Sequence, residues 1–389
     1  MSISKTNDNT TQHNTTQHNT TQHNTTQHNT TQQDCKTNNR SLGIDLFKII
    51  LAFMVLTIHI NAGGTGQVLK HAFVKPWAYI FNIVTILCYP AVNCYILITG
   101  YFSSMSKKSI SKTAKSLVNL WSSLFFFSVV GYLIVTVLQF TDYSILELFK
   151  RFIPLTRQTW WFFNVYFTIM CISPFLNKFI EALTKKEHQI LLGISLVFCS
   201  IQPYIVNWQD KLGVNYGNSL IWFIVLYITG AYIRNYPNNT TSKKQFVKYI
   251  CLSAATFLLA PILTRLGVKI QLATYNSLLI YFQSIALFKT FLYFTPPQWI
   301  IPGINSFAQL SLASYLFHCQ EDIKGILWSN LKIYDFANTY LIIPVAIILC
   351  LLLYFISILL EGGLDFIKKQ TNFDKKINNW INNLASKFS

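Results

Sequence analysis

From residue 40 onward the chain alternates between apolar runs and short polar, often basic, connections. The runs are about twenty residues long, the length that crosses the hydrocarbon core of a bilayer as a helix. They predict membrane helices near 44–62, 78–101, 117–139, 159–178, 188–207, 218–234, 247–266, 273–295, 305–322 and 337–360. The expected fold is therefore all-α, a polytopic membrane bundle of about ten helices. Pro90, Pro174, Pro203 and Pro261 fall within or at the ends of these segments, where neighbouring helices satisfy the freed backbone groups.

The first 39 residues break the pattern. "NTTQH" recurs four times from Asn9 and closes as "NTTQQ". A polar tract of this kind cannot bury a core, so residues 1–39 are expected to be a disordered tail. His13, His18, His23 and His28 recur every five residues. That spacing admits metal binding or a tandem repeat without chemistry. Residues 40–362 form the expected membrane domain, and 363–389 a basic C-terminal tail.

Composition supports the membrane assignment. Apolar residues make up 52% of the chain and charged residues 12%, about half the charged fraction of a soluble domain. The formal charge of +17 does not indicate a nucleic-acid partner, because the basic residues sit in clusters between apolar segments. With the N-terminus inside, the inner segments and tails carry about twice as many Lys and Arg as the outer ones. Both termini are expected in the cytoplasm, which also puts the "NTT" sequons out of reach of glycosylation. Of the eight Cys, Cys88, Cys94, Cys171, Cys199, Cys251 and Cys350 lie in apolar runs without CxxC pairing. They read as small buried hydrophobes, and no metal centre is expected.

The first segment, "IDLFKIILAFMVLTIHI", holds three ionisable residues, Asp45, Lys48 and His59. Asp45 and Lys48 are one helical turn apart, and His59 returns to within about 20° of Lys48 after eleven residues. One stripe thus carries a cation near the inner end and an imidazole about 16 Å further along the axis. Ionisable groups inside a membrane are costly and face the bundle or a wet cavity. The bland alternatives are a Lys48 that snorkels to the headgroups with Asp45 as local partner, and a structural His59.

The stretch "RSLGIDLFKIILAFMVLTIH" (40–59) resembles the opening of the acyltransferase family 3 membrane proteins. In that family a basic residue, usually Arg, precedes an essential His by eleven positions. Here the basic residue is Lys48, which keeps the charge but loses the bidentate fork. "CYPAVNCYILITGYF", "TWWFFNVYFTIMCISPFL", "GNSLIWFIVLYITGAYIR" and "SFAQLSLASYLFH" resemble later helices of the family in the same order. The last two are similar to the branch that decorates capsular and exopolysaccharides.

The resemblance implies an O-acyltransferase in the plasma membrane that moves an acetyl group from cytosolic acetyl-CoA to a cell-surface glycan or its lipid-linked precursor. His59 would be the base, since imidazole suits proton transfer near neutral pH, and Asp45, on the same stripe, would be a second catalytic residue. Lys48, Lys107 and Lys108 would meet the CoA phosphates, although the last two equally fit ordinary positive-inside anchoring. In "HCQED" (318–322), His318, Glu321 and Asp322 are expected at a depth similar to His59. Glu321 or Asp322 would orient an imidazole or bind sugar hydroxyls, unless the cluster is a plain outer loop. Trp160, Trp161 and Trp222 either stack on sugar rings or form an interfacial belt. Asn93, Asn164, Asn218 and Asn276 either line the cavity or link helices. The rival functions are a transporter or flippase for a lipid-linked saccharide or polar metabolite, and a sensor without chemistry.

Overall fold

The computed structural model describes residues 41–385 apart from 63–64, 105–109, 157–159, 204–210 and 267–271. The expected N-terminal tail with its histidine repeat, and Lys107 and Lys108, lie outside the described residues. Among the described residues the secondary structure is helical and contains no strand.

The principal helices are α1 (Leu42–Asn61), α2 (Lys75–Cys88), α3 (Ala91–Ser103), α4 (Ile110–Val137), α5 (Trp161–Glu181), α6 (Lys185–Leu196), α7 (Leu220–Asn235), α8 (Ser242–Arg265), α9 (Leu278–Leu292), α10 (Ser311–His318), α11 (Glu321–Leu331), α12 (Ile342–Gln370) and α13 (Phe373–Ala385). Helix occupies every one of the ten predicted segments. Six stretches are long and apolar enough to cross a membrane: α1, α2 with α3, residues 112–137 of α4, α5, residues 242–263 of α8, and α12. The remaining segments are shorter or broken. Helices α7 and α9 have 16 and 15 residues. The predicted 188–207 segment is α6 followed by a π-turn over Val197–Ile201. The predicted 305–322 segment is a short helix, a 3-10 turn and α10, which ends at His318. The expected C-terminal tail is helical: α12 runs on to Gln370, and α13 packs against α4 and α12. Helix α12 turns Ile343, Ile347, Leu351, Phe355 and Leu359 outward, the apolar surface that a lipid-facing helix presents.

Helix α1 is the axis of the bundle. Ile44, Phe47, Leu51 and Val55 belong to one buried cluster, built mainly with α3, α7 and α9. Ala52, Leu56 and Ile60 belong to a second, built mainly with α4, α10 and α12. At about 100° per residue these two faces flank the Lys48–His59 stripe. That stripe therefore runs along the seam between two packed halves, where a polar group meets neither lipid nor a continuous apolar core.

Helices α3 and α7 cross at a pair of glycines. A Cβ on Gly100 would collide with the Tyr227 carbonyl, and one on Gly230 with the backbone of Leu97 and Tyr101. Small residues that let two backbones meet are a common basis of helix association in membranes, where lipid removes the hydrophobic drive. Buried amides add polar links. Asn93 Nδ2 donates to the Tyr275 carbonyl at 2.8 Å, and its Oδ1 accepts from Trp222 Nε1 at 3.2 Å. Asn276 Nδ2 donates to the Cys199 carbonyl at 2.7 Å. Asn93 and Asn276 thus link elements, whereas Asn218 is half-buried and bonds locally to Asn215.

Candidate active site

His59 stands near the C-terminal end of α1, and the chain beyond it folds back to hold that end. Its carbonyl accepts from the Gly66 N–H at 2.8 Å and from the Thr65 hydroxyl. Gly66 lies so close to Ile60 that a side chain there would collide with the backbone. His318 ends α10 and is buried. The two rings meet across the seam, with His59 Nδ1 2.7 Å from His318 Nε2.

The hydrogen-bond chain assigns the tautomers. His318 Nδ1 contacts the Ser314 carbonyl, which can only accept, so that nitrogen carries a proton. In a neutral His318, Nε2 is then an acceptor, and His59 Nδ1 must donate to it. A neutral His59 keeps its lone pair on Nε2, which is the arrangement a general base requires. The relay runs from His59 through His318 to a backbone carbonyl without a carboxylate.

His59 lines a narrow cavity of about 50 Å³ together with Tyr95, Trp161, Tyr275, Ser311 and Tyr315. Tyr95 also donates to the Lys48 carbonyl at 3.3 Å. Leu312 lines this cavity and also a larger one of about 420 Å³, which is edged by Ser116, Asn119, Ser123, Gln309 and Glu361. Phe53 packs on Tyr354 at 4.8 Å between ring centres, while Ile60 and Asn61 share a cavity with Ile342 and Ile343, so α1 and α12 run in opposite directions. The larger cavity therefore lies toward the Lys48 end of α1, and Leu312 separates it from His59.

The structure brings together some of the residues singled out in the sequence. His59, His318 and Trp161 share the site. Lys48 and Asp45 pair at 2.9 Å, with the Asp45 side chain buried and Lys48 partly exposed. Trp160 is buried behind α10, where its indole donates to the Leu316 carbonyl at 3.2 Å, and it does not line the His59 cavity. Trp222 is likewise buried, so neither indole forms part of an interfacial belt. Glu321 and Asp322 turn to Arg151, at 3.5 and 2.7 Å, rather than to an imidazole. Asn164 sits on α5 outside this cavity.

Tyr95, Tyr275 and Tyr315 line the His59 cavity and Cys319 adjoins His59, and residue order alone assigned none of them a role. Tyr95 and Tyr315 lie within stretches that carry the family resemblance, one on α3 and one on α10, and that was the available signal.

Residues 41–362 match the acyltransferase family 3 model, described as an acyltransferase domain. The match covers most of the chain, and the chain belongs to this family. No curated protein and no solved structure matches it.

Proposed function

From membership of an acyl-transferring membrane family, we propose that this chain moves an acetyl group from cytosolic acetyl-CoA to a hydroxyl of a cell-surface glycan or its lipid-linked precursor. The observation that carries the reading is the relay from His59 Nδ1 through His318 to the Ser314 carbonyl, which leaves His59 Nε2 as the basic nitrogen. Family membership speaks for acyl transfer over the transporter alternative.

In this reading the bundle sits in the plasma membrane with both termini cytoplasmic and its ten helical segments in the bilayer. His59 Nε2 takes the proton of the acceptor hydroxyl as that oxygen attacks the thioester carbonyl. The C–S bond breaks, and the proton leaves with the CoA thiolate, so that an ester and a free thiol are formed. The imidazolium formed on the way is held by its Nδ1–H bond to His318.

The pantetheine arm enters through the larger cavity, where Asn119, Gln309 and Ser123 suit its amides, and passes Leu312 to reach His59. Glu361, Asp365 and Asp374 outnumber Lys368 at that cavity, so the nucleotide phosphates are assigned to Lys48, Lys107 and Lys108. Trp161 contacts the acceptor side of the site, His318 acts through His59, and Trp160 and Asn164 support the site from the packing around α5. Asp45 positions Lys48, and Glu321 belongs to the ion cluster that follows His318.

Transfer from labelled acetyl-CoA to glycan by the full chain in lipid tests this reading. His59→Ala should lower transfer by roughly two to four orders of magnitude while donor binding survives. Lys48→Ala should weaken CoA binding, and Lys48→Arg should keep much of it. Normal glycan acetylation by His59→Ala would show the assignment to be wrong.

A further inference from the structure

The two imidazoles have a third neighbour that the transfer does not use. Cys319 Sγ lies 3.6 Å from His59 Nδ1. The ligand atoms of His59, His318 and Cys319 all lie within 4.8 Å of one another. We propose that these three residues bind a thiophilic divalent transition ion of the Zn²⁺ class, and that occupancy of this site switches the base off.

The donor set fits that class of ion. Two imidazoles and a thiolate suit a borderline-soft ion, whereas Mg²⁺ and Ca²⁺ require oxygen ligands that this cluster lacks. A tetrahedral ion with ordinary Zn–N and Zn–S bonds holds its nitrogen and sulfur ligands about 3.6 Å apart and two nitrogens about 3.3 Å apart. The first separation is already present between His59 and Cys319. The second requires the rings to part by about 0.6 Å, and His59 borders a cavity into which it can yield. The Ser314 carbonyl fixes His318 with its Nε2 lone pair toward the cluster, as outer hydrogen bonds fix the tautomer of metal-bound histidines.

Binding moves protons in a defined way. The Cys319 thiol proton is released to solvent. The His59 proton shifts from Nδ1, now bound to the ion, to Nε2. With N–H on Nε2 the ring can no longer accept a proton from a hydroxyl. The ion is a competitor for His59 and not a cofactor of the transfer. The ammonium of Lys324 acts on both imidazoles, so it opposes the ion and limits its affinity.

The site stands on geometry, and only its inhibitory consequence rests on the proposed role of His59. The test uses Co²⁺ as an optical probe of the full-length chain in lipid nanodiscs. His13, His18, His23 and His28 are replaced by Asn and Cys35 by Ser, because the repeat offers imidazoles of its own. Co²⁺ should produce a sulfur-to-cobalt charge-transfer band and tetrahedral d–d bands, and Zn²⁺ should displace them. Cys319→Ser should lose the charge-transfer band and bind at least about tenfold more weakly, while its basal transfer is kept. Lys324→Met should bind Co²⁺ more tightly. Zn²⁺, but not Mg²⁺, should inhibit transfer, and Cys319→Ser should need at least tenfold more of it. Absence of a sulfur-to-cobalt band in the parent chain, or its persistence in both Cys319→Ser and Cys319→Ala, would overturn the site. If the band is present but the chain does not acetylate glycan, the proposed function fails and the metal site stands.

Discussion

His59 Nδ1 and His318 Nε2 lie 2.7 Å apart although the two residues are 259 positions apart in the chain. A shared proton of this kind requires one ring to donate and the other to accept, and the Ser314 carbonyl determines which. His318 is therefore a positioning residue for His59. His318→Leu removes the acceptor and frees His59 to place its proton on either nitrogen. Transfer should fall by at least about tenfold, as it does when the orienting partner of a catalytic imidazole is lost. His318→Gln, which offers a carbonyl oxygen, should recover part of it. Equal losses in the two variants, with an unchanged KM for donor, would argue that His318 only fills space.

Leu312 lies between the two cavities. Leu312→Trp should block the passage, so that the acyl group no longer reaches His59 while CoA itself still binds outside. Single-turnover transfer measured beside CoA binding will separate the two effects. Leu312→Ala should leave transfer within a few-fold of the parent. Unimpaired turnover in a stably folded Leu312→Trp protein would rule out this route.

The crossing of α3 and α7 depends on Gly100 and Gly230. Gly100→Leu must push the Tyr227 backbone away, and overpacking of this kind costs about 1–3 kcal/mol. A lower unfolding temperature in lipid is expected for Gly100→Leu and for Gly230→Leu. Gly193, where a Cβ meets nothing within 4 Å, is the control, and Gly193→Ala should not lower stability, since Ala is the better helix former.

Arg151 ties residues from the start of α11 to the short helix before α5. Its side chain is 5% exposed and lies 2.7 Å from Asp322. Asp322 Oδ2 accepts from Gln320 Nε2 at 2.6 Å, in the turn directly after His318 and Cys319. Breaking a buried ion pair by removing one partner costs about 3–5 kcal/mol. Arg151→Ala should show that loss in unfolding and should also raise the reactivity of Cys319 toward a thiol reagent. Replacing both partners, as Arg151→Met with Asp322→Leu, should restore stability. If the double variant is no more stable than Arg151→Ala, the pair is not an isolated contact but part of a wider network with Glu321 and Glu147.

Much of the architecture was legible from residue order because it follows from local pattern. A run of about twenty apolar residues dictates a helix wherever it meets lipid, and helix is found in each segment where such a run predicted it. The stripe of Asp45, Lys48 and His59 was legible for the same reason, since it depends only on the repeat of a single helix. The short helices were harder to read. The apolar run at 305–322 looks continuous, yet it is divided by a 3-10 turn. The packing that decides such a break, as in Tyr354 donating to the Phe307 carbonyl at 3.2 Å, comes from a distant helix.

The sequence alone determined the helical class, the membrane character, the family and the two histidines that bear candidate chemistry, because each rests on side-chain type at short spacing. Tertiary structure decided how those groups are partnered. Glu321 and Asp322 lie three and four residues from His318, close enough on paper to orient an imidazole. The fold gives them to Arg151 and gives His59 a second imidazole instead. Hydrogen bonds and ion pairs act over about 3 Å, and only the packing of α1 against α10 brings His59 within that range of His318.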